Sequence, residues 1–159
     1  MKLLIHQAEE PPRTTIVLFV AQIDELTVRA LAFGKSLAAD RFEAVTLTSE
    51  ATRQQHLRRD WQALGADVPL VVVSSRLGGF MQPAAQYVRS LAPGPDHTVV
   101  VIIPQLVAKH RYKNVFRNRS ALRLKATLLK IPWVVVITLP LHLEARPGTG
   151  ISGPAFPER

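Results

Sequence analysis

Thr98-Val-Val-Val-Ile-Ile103, then Pro104-Gln-Leu-Val-Ala-Lys-His-Arg-Tyr-Lys-Asn-Val-Phe-Arg-Asn-Arg-Ser120, then Ala121-Leu-Arg-Leu-Lys-Ala-Thr-Leu-Leu-Lys130 and, after Ile131-Pro132, Trp133-Val-Val-Val-Ile-Thr138, is the stretch that decides the fold. Its two ends are continuous apolar runs rich in β-branched residues, as strands buried on both faces are. Its middle is cationic. Between His97 and Leu143 there are eight Lys or Arg (Lys109, Arg111, Lys113, Arg117, Arg119, Arg123, Lys125 and Lys130) and no Asp or Glu. Outside it, twelve basic residues face twelve acidic ones, so the formal net charge of +8 belongs to this one segment. Positive charge beside the ends of buried strands is where an α/β protein holds a phosphate.

Working outward, the same alternation continues. Thr15-Ile-Val-Leu-Phe-Val20 reads as a buried strand. Asp24 to Ala39 carries Leu26, Ala30, Phe33 and Leu37 at helical spacing, with Asp24 or Thr27 as the cap. Glu43-Ala-Val-Thr-Leu-Thr48 alternates and predicts a half-buried strand. Ala51 to Leu64 reads as a polar helix that stops at Gly65. Pro69-Leu-Val-Val-Val-Ser74 is a third strand, and Phe80 to Leu91 a helix broken by Pro93-Gly-Pro95. This order predicts an α/β fold with a five-stranded parallel sheet in three α/β/α layers. The cationic segment then leaves the carboxyl end of the fourth strand, near a topological switch point. Residues 14–143 read as one domain, 1–13 as an N-terminal tail or linker, and the Pro- and Gly-rich 144–159 as a flexible tail.

Composition narrows the function classes. A chain of 159 residues with 47% hydrophobic and 20% charged residues is an ordinary globular domain. It has no cysteine, hence no disulfide and no thiolate chemistry. The five histidines are scattered without metal-like spacing. No apolar run approaches the ~18 residues of a membrane span. The pI of about 10.6 admits nucleic acid, acidic lipid or an anionic small molecule as partner.

The second half of the basic segment predicts a helix with Ala121, Leu124 and Leu128 inward and Arg119, Arg123 and Lys130 outward. Asn118 and Ser120 are good N-terminal caps, so free N–H groups there, the Ser120 hydroxyl, Arg117 and Arg119 compose a candidate anion site. His110 is a solvated loop histidine or a ligand contact. Asp24 is a helix cap or a ribose or base contact. Gly78-Gly79 lacks the spacing of a phosphate loop and reads as a tight turn. Trp61 and Trp133 read as core or helix-packing residues. With no Ser/His/Asp set and no carboxylate pair, the chain reads as a binding module and not an enzyme.

This layout resembles the universal stress protein fold, of the adenine nucleotide alpha hydrolase-like kind. Members that bind ATP carry a glycine motif after strand four, of which only Asn118-Arg119-Ser120 persists here in altered form. Three stretches are similar to the C-terminal cytosolic domain of bacterial APC-superfamily permeases, in the branch that contains potassium importers. They are Val20 to Leu37, Trp61 to Val73, and Arg117-Asn-Arg-Ser-Ala-Leu-Arg-Leu-Lys-Ala126. The resemblance implies a transmembrane part of the same permease before this domain, and a place at the cytoplasmic face of the bacterial membrane. It also implies regulation by cyclic di-AMP, with ATP or AMP as the alternative ligand. On that reading Ala21, Gln22, Ile23, Asp24, Thr46 and Thr48 line the adenine pocket. Pro104, Gln105, His110, Arg111, Arg117, Asn118, Arg119, Ser120 and Ala121 hold ribose and phosphate. Two other readings stand beside it. A nucleic-acid binder is disfavoured because the cations lie in one segment without interleaved aromatics. A ligand-free homodimer would use the fifth strand and Leu139-Pro-Leu-His-Leu143.

Overall fold

The computed structural model describes residues 11–75, 79–107 and 115–142, with side chains described for all of these except 106–107, 115–120 and 141–142. The chain order is β1 (Arg13–Phe19), α1 (Glu25–Ser36), β2 (Arg41–Leu47), α2 (Ala51–Leu64), β3 (Leu70–Val73), α3 (Met81–Leu91), β4 (His97–Val107), α4 (Val115–Leu128) and β5 (Val134–His142). All five strands pair in parallel, in the order β3-β2-β1-β4-β5. The alternating apolar runs therefore form the parallel sheet that the sequence predicts. The order reverses between β1 and β4, which places a crevice at their carboxyl ends.

Two apolar layers hold this sheet. On one face Val17, Val45, Val99 and Val101 meet Ala84, Ala85 and Val88 of α3 and Leu124 and Leu128 of α4. On the other, Ile16, Leu18, Ala44 and Ile102 meet Ala30 and Leu31 of α1 and Trp61 of α2. The Trp61 indole is buried and donates to the Val68 carbonyl at 2.8 Å, so its polar atom is satisfied inside the core. Gly34 lets α1 lie on Phe42, because a Cβ there would stand 2.4 Å from the ring. Gly65 closes α2 with φ 65°, the left-handed conformation expected of it.

Four details differ from the expectations. First, β2 is buried on both faces: Glu43 and Thr46 are as inaccessible as Val45. The alternation of polar residues is real, but Glu43 is answered by Arg41 at 2.6 Å and by the Tyr87 hydroxyl, so it tolerates burial. Second, Pro104 and Gln105 belong to β4 itself, opposite Leu139 and Pro140 of β5. The last pair between β1 and β4 is Leu18 with Ile102, so from Ile103 onward β4 and β5 run on as a two-stranded ribbon. Third, α4 starts at Val115, so Asn118 and Ser120 are helical residues and not caps. Fourth, Trp133 is half exposed, with φ 63°. The turn that enters β5 holds its ring out of both apolar layers.

Candidate functional site

The carboxyl ends of β1, β2 and β4 lie together at one edge of the sheet. After β1, Ala21 and Gln22 are exposed and Ile23 and Asp24 half-buried. Asp24 acts as the cap of α1: its Oδ1 accepts the Thr27 N–H at 3.0 Å and its Oδ2 accepts the Gln22 amide at 2.6 Å. Thr27 also donates its hydroxyl to the Gln22 carbonyl at 2.6 Å. The loop after β1 is thus tied to its helix, and both Asp24 oxygens are engaged. Arg53 reaches from the first turn of α2 and donates to the Ala21 carbonyl at 2.9 Å, which brings a cation over this loop.

Thr46 and Thr48 are buried. Thr48 Oγ1 accepts the Glu50 N–H at 3.2 Å and its carbonyl accepts Gln54 Nε2 at 3.1 Å, so Thr48 organises the start of α2. Neither threonine offers open surface to a base. Of the residues expected at an adenine pocket, Ala21 and Gln22 are exposed and Ile23 and Asp24 half-buried.

A cavity of about 90 Å³ lies between the β4–β5 ribbon and α4. Ile103, Gln105, Ala121, Leu122, Lys125 and Thr138 line it. Gln105 and Ala121 were candidates from the sequence, and the structure brings them to one cavity. Ile103 and Thr138 are opposed in the β4–β5 register, which aims both at α4. The Thr138 hydroxyl oxygen is buried without a hydrogen-bond partner. A buried hydroxyl left unpaired costs about 1–3 kcal/mol, so such a group marks a place where a ligand or water completes the bonding. Lys125 supplies the charge beside it. Lys125 counted among the cations of the segment but was not singled out as a site residue, and Thr138 was not singled out at all. The available signal was a single hydroxyl ending the Val-Val-Val-Ile run of β5.

Pro104 sits in the ribbon next to Gln105. Arg117, Asn118, Arg119 and Ser120 fall in the first turns of α4. Their side chains, and all of His110 and Arg111, lie outside what is described. Because α4 starts at Val115, its first four N–H groups are those of 115–118, one turn upstream of the start expected at Ser120.

A larger cavity, about 250 Å³, lies at the far end of the sheet among Gly34, Lys35, Ala38, Ala39, Phe42, Asp67 and Val68. Its one cation, Lys35, is already paired with Asp67. Among the described residues no cluster of three or more His, Cys, Asp or Glu could hold a metal ion. No helix among them is long and apolar enough to cross a membrane.

The family described as the KimA potassium transporter C-terminal domain matches residues 12–141. The potassium transporter KimA of Bacillus subtilis (strain 168) is 24% identical over 147 residues, which is 91% of this chain. The chain spans 24% of that relative's length.

Proposed function

The chain belongs to the KimA potassium transporter C-terminal domain family, and on that premise we propose that it is the regulatory domain of a potassium transporter, at the cytoplasmic face, and that it senses cyclic di-AMP. The transmembrane part of the same permease is its partner in this reading. The domain binds and does not catalyse. One observation carries the proposal: at the carboxyl edge of the sheet, an unpartnered buried hydroxyl and Lys125 face a cavity on a stretch with no carboxylate to neutralise it.

The cavity is too small for a purine, and its polar atoms suit a phosphate or ribose. One phosphodiester would lie toward Lys125, Thr138 and the first turns of α4. A base would lie over Ala21, Gln22 and Ile23, outside the buried threonines. Each charge-assisted bond to phosphate contributes about 1.5–3 kcal/mol before its costs. The universal-stress-protein-like character of the fold belongs to the same proposal, since parallel sheets of this kind bind ligands at the switch point.

Calorimetry with cyclic di-AMP, ATP and AMP tests it. The expected result is tightest binding of cyclic di-AMP, weakened about tenfold or more by Lys125→Ala and by Thr138→Val. Absent or equal binding of the three nucleotides would defeat the reading.

A further inference from the structure

Helix α4 is apolar on two sides, and folding accounts for only one. Leu124 and Leu128 are buried in the core with Ala121 packed beside them. Across the helix, Leu122 and Ala126 begin a second apolar stripe, and Leu129, in the turn just after α4 with its N–H still bonded to the Lys125 carbonyl at 3.0 Å, extends it at i+7. Leu122 is 67% exposed and Leu129 57%. Arg123 and Lys130, also seven apart and both exposed, run along one flank of that stripe. An ordinary surface helix carries charge where these leucines stand.

The turn after the helix adds an aromatic group. Trp133 is 51% exposed and holds φ 63°, a left-handed backbone that is a genuine outlier for a bulky residue. Such a conformation persists where the surrounding structure imposes it, and it leaves the indole half exposed four residues after Leu129. Nothing in the chain from His97 to Leu143 can neutralise the flanking cations, because that stretch has no acid. The ion pairs of the described residues all lie before α3.

We propose that the outer face of α4, with Trp133, docks on an anionic phospholipid surface. Leu129, Leu122 and Trp133 enter the headgroup boundary, and Arg123 and Lys130 meet the lipid phosphates. An apolar stripe edged by cations and ended by tryptophan is the pattern of an interfacial helix. Nucleic acid would engage the cations and leave the leucines in water. A second copy packed α4 on α4 would set Arg123 and Lys130 against their own kind. Leu122 also borders the cavity beside α4, whereas Arg123, Leu129, Lys130 and Trp133 do not line it, so the surface adds to the nucleotide reading without depending on it.

Co-sedimentation of the 159-residue chain with vesicles tests this. Phosphatidylcholine alone is compared with phosphatidylcholine containing about one third phosphatidylglycerol, at low and at physiological salt. The expected result is binding to the anionic vesicles at least about tenfold tighter than to the neutral ones, weakened by salt. Tryptophan emission should shift to the blue on binding, and Trp133→Asn should abolish that shift, since Trp61 is already buried. Leu129→Gln with Trp133→Asn should cut binding about tenfold or more. Arg123→Gln with Lys130→Gln should do so at low salt, and affinity for cyclic di-AMP should stay unchanged in both double variants. Equal sedimentation with both vesicle types would overturn the proposal. So would full binding by the Leu129→Gln/Trp133→Asn variant, which reduces the effect to charge alone. A vesicle-independent dimer that Leu129→Gln dissociates, or a collapse of melting temperature in that variant, would assign the side chain to a protein interface or to the core, and would equally overturn it.

Discussion

The half of the molecule before α3 and the half after it treat charge in opposite ways. In the first, Arg29 pairs with Glu25 at 2.7 Å, Arg41 with Glu43 at 2.6 Å, and Lys35 with Asp67. Asp24 caps α1, and Asp40 accepts the Thr14 N–H at 2.7 Å. In the second, among the described residues, no ion pair forms, and α4 carries Arg123 and Lys125 with no acid on its helix or on either flanking strand. Charges in the first half serve the fold. Those in the second oppose compaction by mutual repulsion and so point outward, to something that is not this chain.

The largest test of that contrast compares neighbours at the carboxyl end of α4. Leu128 is fully buried, and Leu129 is 57% exposed. Leu128→Ala should cost about 3 kcal/mol in urea unfolding, the range for a buried leucine that leaves a cavity. Leu129→Ala should stay within about 0.5 kcal/mol, as surface substitutions do. Equal costs would mean that both sides of α4 serve the fold, and the functional surplus assigned to the second half would vanish.

Next in size is the cap of α1. Asp24→Ala removes the acceptor of the Thr27 N–H and should cost about 1 kcal/mol. Because both carboxylate oxygens are held by Gln22 and Thr27, the same variant should leave nucleotide affinity nearly unchanged. A large loss of affinity with an unaltered melt would transfer Asp24 from the fold to the site.

How far the sequence reaches follows the same divide. Continuous apolar runs named β1, β3, β4 and β5, because a parallel strand covered on both sides is mostly apolar, and alternation named β2, whose buried Glu43 and Thr46 disguised its coverage on both faces. Asp24 as a cap and Gly65 as a stop were legible because they act within a few residues of themselves. The β4–β5 ribbon was not. Pro104 and Pro140 look like turn signals, yet β1 has ended before Pro104, and β5 is an edge strand, so both tolerate a missing N–H. The start of α4 was misplaced because Asn118 and Ser120 resemble caps, while the basic residues before them are good helix formers. Trp133 was misread because its exposure follows from one backbone angle that residue type does not disclose. For the cavity, Gln105 and Ala121 were named by position in the fold, whereas Thr138 reaches it through the register of β5 on β4 and Lys125 through the packing of α4 on the sheet.

The buried carboxylate of the first half gives a pH test. Tyr87 is half-buried and donates its hydroxyl to Glu43. Burial first, then that hydrogen bond and the Glu43 charge, raise its pKa above the ordinary tyrosine value, with Arg41 opposing. Above about pH 10 the unfolded chain therefore loses the Tyr87 proton while the folded one keeps it. The Tyr87 contribution should be flat below that point and fall as pH rises beyond it. Tyr87→Phe should flatten the alkaline limb at a cost in the neutral range, where Glu43 loses a donor. An alkaline limb identical in both proteins would remove the Glu43–Tyr87 contact from the account of how the first half satisfies its charges.

The smallest effect comes from the pair at the far end of the sheet. A hydrogen bond from Lys35 is the main cause that lowers the Asp67 pKa below its usual value, followed by a backbone hydrogen bond within Asp67 and the Lys35 charge. A carboxylate lowered on folding stabilises the native state above its unfolded pKa, near 4, and that contribution is lost as pH falls through the folded value. Asp67 is fully open to solvent, so its share is small and should fade with added salt. Lys35→Met should slightly reduce the loss of stability between about pH 4 and pH 2 at low ionic strength, and should do nothing in high salt. The corresponding change in the second half, Lys130→Met, removes repulsion and no attraction. It should leave the acid limb untouched and hold or raise the melting temperature at neutral pH. If Lys130→Met instead lowered it in a salt-dependent way, α4 would have an acidic partner within the chain, and the two halves would be alike after all.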